Sequence, residues 1–292
     1  MSDQVWTIKK VLDWSVSHFH QKGIENARLN AEWLLGETLH MDRVRLYLNF
    51  DQIMTREELA RFKGMIKKRL ERVPLQYILG HYDFMGINLL LNEHVLIPRP
   101  ETELLVEAAL DHFKRKKSEI RILEIGTGSG CIPVSFHHYL KAPVQYRGLE
   151  ISSQAINLAK RNFEKHSLPD SYQIVHHDFL SSLPEDLRNK KFDLIISNPP
   201  YVTGPEWDEL QPEVKYHEPK SALVAAHENP LIFYRKITGL KEQLTENGII
   251  LVEMNAQLWQ EIEQLFTADG FQTDIQPDYS QKKRILSAKS AM

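Results

Sequence analysis

Of the chain's 292 residues, 42% are hydrophobic and 26% charged, ordinary globular usage that excludes a fibre, a low-complexity chain and wholesale disorder. The 36 lysines and arginines against 39 aspartates and glutamates leave a formal charge of -3, without the basic excess carried by phosphate-driven nucleic-acid binders. One cysteine makes no intramolecular disulfide, the thirteen histidines lack metal-ligand spacing, and no apolar run approaches the roughly 20 residues that cross a bilayer, so a cytoplasmic protein of about two domains, with no metal and no membrane segment, is expected.

The N-terminal stretch Met1 to Lys10 carries Asp3, Trp6 and two lysines, which argues against a secretory signal. Residues 1–75 read as a helical domain. Ile8, Val11, Leu12, Ser15 and Phe19 form one stripe at helical spacing, Ala27, Ala31, Leu34 and Leu35 a second, and Leu59, Phe62, Met65, Ile66, Leu70 and Val73 a third. Thr55 followed by Glu58 is a capping box for the third helix, and Pro74 marks its end. Its outer face is expected to carry Lys63, Lys67, Lys68, Arg69 and Arg72, a solvated face or a docking patch for an acidic partner or RNA. Residues 76–98 turn β-prone, Tyr77 to Met85 and Ile87 to Leu91 around Gly86, and predict a hairpin linker.

Residues 99–292 alternate between strand and helix patterns. Strands are expected at 120–125, 144–150, 172–176, 192–197 and 248–253, helices at 131–140, 153–166, 230–246 and 256–268, and a closing hairpin at 271–276 and 284–288. This alternation predicts a mostly parallel α/β sheet covered on both faces.

Three places in this domain carry chemistry. Gly126-Thr127-Gly128-Ser129-Gly130 joins a strand to a helix, where glycines let backbone approach a ligand and the helix start favours polar groups. Its third glycine comes one place too early for a dinucleotide loop, which turns the reading towards S-adenosyl-L-methionine. Glu150 ends the next strand, where a carboxylate can accept from both ribose hydroxyls of an adenosine, and Asp178 and Phe179 follow the third strand, placed to meet an adenine amino group and cover its ring. Asn198-Pro199-Pro200-Tyr201 ends the fourth strand: a stiff turn offering two carbonyls and a flat ring, suited to a planar –NH2 group. Cys131, at a helix start that would lower a thiol pKa, has no base beside it in sequence.

These motifs, with the segment Leu96-Ile97-Pro98-Arg99-Pro100-Glu101-Thr102-Glu103 and the stretch Ala27-Arg28-Leu29-Asn30-Ala31-Glu32, resemble the bacterial protein-(glutamine-N5) methyltransferases that modify peptide-chain release factors. The resemblance implies a class I, seven-stranded Rossmann-like methyltransferase sheet with a small N-terminal helical domain that recognises the protein substrate. It implies S-adenosyl-L-methionine bound by Gly126, Thr127, Gly128, Ser129, Gly130, Glu150, Asp178, Phe179 and Asn198. It implies also that Asn198, Pro199, Pro200 and Tyr201 hold the glutamine amide of a Gly-Gly-Gln tip for in-line methyl transfer, the partners being class I release factors in translation termination, with no nucleic-acid substrate. Sister enzymes acting on a ribosomal protein carry serine after the Pro-Arg arginine, where this chain has Pro100; nucleic-acid amino methyltransferases of adenine N6 or guanine N2 are the other alternative.

Two departures bear on loops. Residues 219–229 lack glycines usual in the family, and Ser280 stands where glycine is usual. The aperiodic segment Val202 to Asn229, with three prolines, is expected to be a substrate lid.

Overall fold

A computed structural model describes residues 5–225 and 229–290. The chain forms two compact units, one of residues 1–80 with 212–217, the other of 81–211 with 218–292.

The first unit is helical: α1 (Ile8–Gln21), α2 (Ala27–Leu39), α3 (Arg43–Leu48), α4 (Arg56–Leu70) and α5 (Leu75–Leu79). The three apolar stripes meet in one core that includes Ile8, Leu12, Phe19, Leu34, Leu35, Phe62 and Ile66. The capping box forms as expected, Thr55 Oγ1 accepting from Glu58 N–H and Glu58 returning a carboxylate oxygen to Thr55 N–H.

The basic face of α4 differs from expectation. Arg69 is 6% exposed; its Nε donates to Asn30 Oδ1 at 2.7 Å and its Nη2 to Glu213 at 3.0 Å. Arg72 reaches the same Glu213 oxygen at 3.3 Å and the carbonyls of Lys22 and Gly23. Periodicity placed both guanidiniums on the outer face because the acid that covers them lies about 140 residues away, on the segment 212–217. The Arg28 to Glu32 stretch is structural as well: the buried Glu32 carboxylate takes Arg28, Arg43 and Tyr47 at 2.9, 2.7 and 2.5 Å, as a buried charge must be paired.

The second unit opens with β1 (His81–Phe84) and β2 (Ile87–Leu90), an antiparallel hairpin. Residues 77–79, read as strand, instead close α5, which stops at Gly80 in the left-handed region (φ 78). Met85 and Gly86 both have positive φ, as a two-residue hairpin turn requires, and Glu103 accepts the Met85 N–H at 2.9 Å. Phe84, Ile87 and Leu89 are buried in the core of the sheet unit.

Then come α6 (Pro100–Phe113), β3 (Ile120–Ile125), α7 (Cys131–Tyr139), β4 (Val144–Glu150), α8 (Ser153–Lys165), β5 (Tyr172–His176), α9 (Glu185–Arg188) and β6 (Phe192–Ser197). After them follow α10 (Gly204–Glu209), α11 (Pro212–His217), α12 (Ile232–Thr238), β7 (Leu244–Glu253), α13 (Trp259–Ala268), β8 (Phe271–Pro277) and β9 (Lys283–Ser290). The seven-stranded sheet has the order β5-β4-β3-β6-β7-β9-β8, parallel through β7 and antiparallel at β9 and β8. Both faces are buried: Ile122, Leu194, Ile196, Ile249 and Leu251 join one core cluster, and Leu123, Ile125, Ile195, Ile250 and Val252 the other. That is why β6 and β7 carry consecutive apolar residues at their centres, Leu194 to Ile196 and Ile249 to Val252.

Three expectations are corrected. The helix expected over 230–246 is only α12; Leu240 and Leu244 are drawn into the core beside Phe192, and β7 begins at Leu244. The helix expected from residue 256 starts at Trp259, because Asn255 takes the N–H groups of Gln257 and Leu258 in a turn. The helix α6 was not foreseen, although Pro100 at its first turn and Leu105, Ala109 and Phe113 at helical spacing signal it. The expected lid holds α10, with its own capping box between Thr203 and Glu206, and α11, which belongs to the helical unit. Ala226, His227 and Glu228, part of the glycine-poor loop, lie outside the described residues. At the other departure Ser280 carries no strain, since the positive φ of that turn falls on Gln281; Asp278 accepts from the N–H groups of Ser280 and Lys282.

No helix among the described residues is long and apolar enough to cross a membrane.

Candidate active site

The C-terminal ends of β3, β4 and β6 open onto a cavity of about 340 Å³, the edge at which parallel sheets bind ligands. Gly126, Thr127, Gly128, Ser129, Glu150, Asp178, Phe179, Asn198, Pro199 and Pro200 all line it. Four segments separated by up to 74 positions thus converge as expected. Gly130 and Tyr201 do not line this cavity.

The loop after β3 is shaped by its glycines, with φ of 80°, 54° and 80° at Gly126, Gly128 and Gly130, a region costly for residues with a Cβ. A Cβ on Gly126 or Gly128 would meet no protein atom within 4 Å, so open space faces the loop for a ligand. Gly130 serves packing instead: a Cβ there would come within 3.1 Å of Phe163 and 3.3 Å of Ala159 on α8.

Glu150 bridges loop and helix, Oε2 accepting from Gly128 N–H and Oε1 from Ser152 N–H, each at 2.9 Å. Each oxygen keeps a second lone pair, and a cis-diol can donate to both. A structural role at the start of α8 and a ribose-binding role are therefore compatible in one carboxylate. Asp178 Oδ1 accepts from Leu180 N–H at 2.8 Å. Phe179 lies nearly parallel to Phe233, ring centroids 6.3 Å apart, and both line the cavity.

Sequence reasoning missed Glu124, which lines the same cavity at 1% exposure. Burial pushes its carboxyl well above the usual range, against the hydrogen bond donated by Tyr146 Oη. Tyr146 Oη also meets Thr127 Oγ1 at 3.1 Å, tying the glycine loop to β4. This junction has no spare volume: a Cβ on Gly148 would lie 2.2 Å from Thr127 Oγ1 and 2.5 Å from Tyr146 Oη. Gly148→Ala is expected to destabilise the fold by about 1–3 kcal/mol through overpacking and to weaken cofactor binding; urea unfolding of an undisturbed variant would show the junction to be loose.

Cys131 is buried, and burial pushes its thiol up to about 12. It is a core side chain, not a nucleophile. Cys131→Ser is expected to keep near-native turnover, and the native thiol to resist alkylation at pH 8 until the protein is unfolded.

The turn after β6 is shared between two cavities. Asn198, Pro199 and Pro200 line the first, while Tyr201 and Val202 line a second, of about 640 Å³, together with Trp259 and Arg284. Tyr201 Oη donates to Glu253 Oε1 at 2.7 Å, and Asn255 Nδ2 donates to the Tyr201 carbonyl at 3.2 Å, so the ring is held from both ends. The Pro-Arg-Pro-Glu-Thr-Glu segment acquires its reasons here. Arg99 pairs with buried Glu218 at 2.6 Å, and Thr102 contacts both Asn198 and Glu253. Glu253 could have been suspected as the acid ending the last parallel strand, but its partners lie about 50 and 150 residues away.

A family model described as the PrmC N-terminal domain matches residues 10–80, and one described as a methyltransferase domain matches residues 116–286. A release factor glutamine methyltransferase of Geobacter sulfurreducens is 42% identical over 269 residues, covering 92% of this chain and 91% of its own. One of Chlorobaculum tepidum is 34% identical over 291 residues, 98% of each chain. Among solved structures, the T. thermophilus 16S rRNA N2 G1207 methyltransferase in complex with AdoMet and guanosine is 18% identical, with a TM-score of 0.50, over 72% of this chain and 50% of that one; it shares the fold. Helical unit and methyltransferase sheet are both matched, identity runs along nearly the whole length, and the chain belongs to the release factor glutamine methyltransferase family.

Proposed function

We infer that this S-adenosyl-L-methionine-dependent enzyme methylates the side-chain amide nitrogen, N5, of the glutamine in the Gly-Gly-Gln tip of class I peptide-chain release factors, in the cytoplasm. The observation that carries the reading is the presence of Asn198 and Pro199 in the same cavity as the glycine loop and Glu150. The residues fit the cofactor: an open-faced glycine loop, a carboxylate with two free lone pairs, and an aromatic wall at Phe179 and Phe233. When bound, the cofactor supplies an electrophilic methyl group.

The chain's own residues then act by placement. An amide nitrogen is a weak nucleophile, its lone pair being delocalised into the carbonyl. Asn198 Oδ1 and the Pro199 carbonyl accept its two hydrogens and fix its direction of approach. The same two dipoles favour the positive charge that grows on nitrogen as it is alkylated. Tyr201, immobilised by Glu253 and Asn255 on the wall of the second cavity, is not placed on the amide plane as expected and instead anchors the turn that carries Asn198 and Pro199. The alkylated nitrogen is acidic enough to lose its extra proton to water, so no buried base is needed. The formal charge of -3 supports a protein substrate over a nucleic acid.

The test is incubation with labelled cofactor and an intact release factor, the same factor with its tip glutamine replaced, and a nucleic-acid mixture, with the methyl located by mass spectrometry. A single methyl on the tip glutamine is expected. Methyl on nucleic acid, or on the glutamine-replaced factor, overturns the assignment.

A further inference from the structure

An asparagine amide can present either its oxygen or its nitrogen to a ligand, and only the oxygen can accept an amide hydrogen. The side chain of Asn198 is therefore useful in one of its two orientations, and the structure contains a device that selects it. Glu253, 0% exposed, ends β7 behind the Asn198 turn. Its Oε2 accepts from Thr102 Oγ1 at 2.8 Å and its Oε1 from Tyr201 Oη at 2.7 Å. Thr102, 3% exposed, has one hydroxyl proton, spent on Glu253, so its oxygen can only accept from its other neighbour. That neighbour is Asn198, whose Nδ2 donates to Thr102 Oγ1 at 3.0 Å. The amide nitrogen is thus turned inward. Among the described residues Asn198 Oδ1 accepts no protein hydrogen bond, and Asn198 lines the cofactor cavity.

We propose that Thr102 and Glu253 are positioning residues: the Glu253 carboxyl oxygen takes the proton of the Thr102 hydroxyl, which fixes the Asn198 amide with its oxygen facing the reacting nitrogen. The proposal rests on the functional reading above and assigns a role to Glu253, which does not line the cavity, and to Thr102, which lines it beside Asn198. It explains why a fully buried acid sits behind the turn, where an apolar residue would pack without a desolvation cost. Thr102 lies on a helix, Glu253 ends a strand and Asn198 directly follows one, so the relay is rigid, as a catalytic group's support should be.

Thr102→Val keeps the side-chain shape and removes the hydroxyl, while Thr102→Ser keeps the hydroxyl. With intact release factor as substrate, Thr102→Val is expected to lower kcat about 10–100-fold, a misplacement effect. Its KM for cofactor should stay within about twofold, because no group on the Glu150 side is altered. Thr102→Ser should restore most of the turnover. In an Asn198→Ala background, Thr102→Val should cause no further fall, as expected for residues acting through one another. Independently of activity, the side-chain amide resonances of Asn198 should be sharp and distinct in the native protein and in Thr102→Ser, and averaged in Thr102→Val. Native kcat in a folded Thr102→Val protein, failure of serine to rescue, multiplicative losses in the double variant or unchanged amide resonances would each overturn the relay. Native turnover in Asn198→Ala alone would overturn the site reading and the relay with it, whereas a slow Asn198→Ala beside a fast Thr102→Val removes only the relay.

Discussion

Replacing Asn198 by alanine is expected to reduce turnover about 10²–10³-fold, the loss typical of deleting one preorganised dipole at a site of developing charge. Affinity for the cofactor should change by less than about threefold, because Gly126, Gly128 and Glu150 are untouched and the turn is fixed by its two prolines rather than by the asparagine side chain. The split has a physical origin. In the proposed mechanism Asn198 Oδ1 meets a charge that exists only while nitrogen is being alkylated, so its contribution is expected in kcat, whereas ground-state binding groups appear in affinity. Single-turnover kinetics with release factor, alongside calorimetric titration of the cofactor, separates the two; a variant with native turnover would remove Asn198 from the chemistry. Loss of the Thr102 donor partner is a secondary cost, confined to one side chain.

Replacing Glu150 by alanine should produce the opposite split. Two hydrogen bonds from a diol to an ionised carboxylate are worth about 1.5–3 kcal/mol each, so cofactor Kd is expected to rise by about two to four orders of magnitude, with kcat at saturating cofactor within a few-fold of native. The same change orphans the N–H groups of Gly128 and Ser152. Thermal stability in the absence of cofactor should therefore fall as well, by about 2–4 °C for each kcal/mol lost in a unit of this size. Calorimetry and a thermal scan check both; an unaltered Kd would return Glu150 to the purely structural role of a helix-start carboxylate.

Much of this site could be read from the residues because its parts are local. A glycine loop between a strand and a helix, an acid at the next strand end, and an Asn-Pro-Pro-Tyr turn each state their geometry within a few positions, and the strands at 120–125, 144–150, 172–176 and 192–197 are found at the bounds expected from their branched and aromatic residues. The mostly parallel α/β class followed from alternation, since a parallel strand needs a crossover to return, while the seven-stranded methyltransferase sheet followed from the family resemblance.

The tertiary structure decided what depends on distant partners. Arg69 counted as an exposed cation until Asn30 and Glu213 closed over it; a helical pattern records which face a residue occupies, not what will cover that face. Gly130 looked like a ligand-facing glycine and proves to be a contact with Phe163 and Ala159. Tyr201 stands at the wall of a second cavity because Glu253, 52 residues on, holds its hydroxyl. Composition, periodicity and turn chemistry determined most of the elements and named Asn198, Pro199 and Pro200, which line the cavity. The orientation of those groups was decided by hydrogen bonds to Thr102 and Glu253, which only the packed sheet brings within 3 Å, because a hydrogen bond depends on spatial neighbours and a sequence pattern records only chain neighbours.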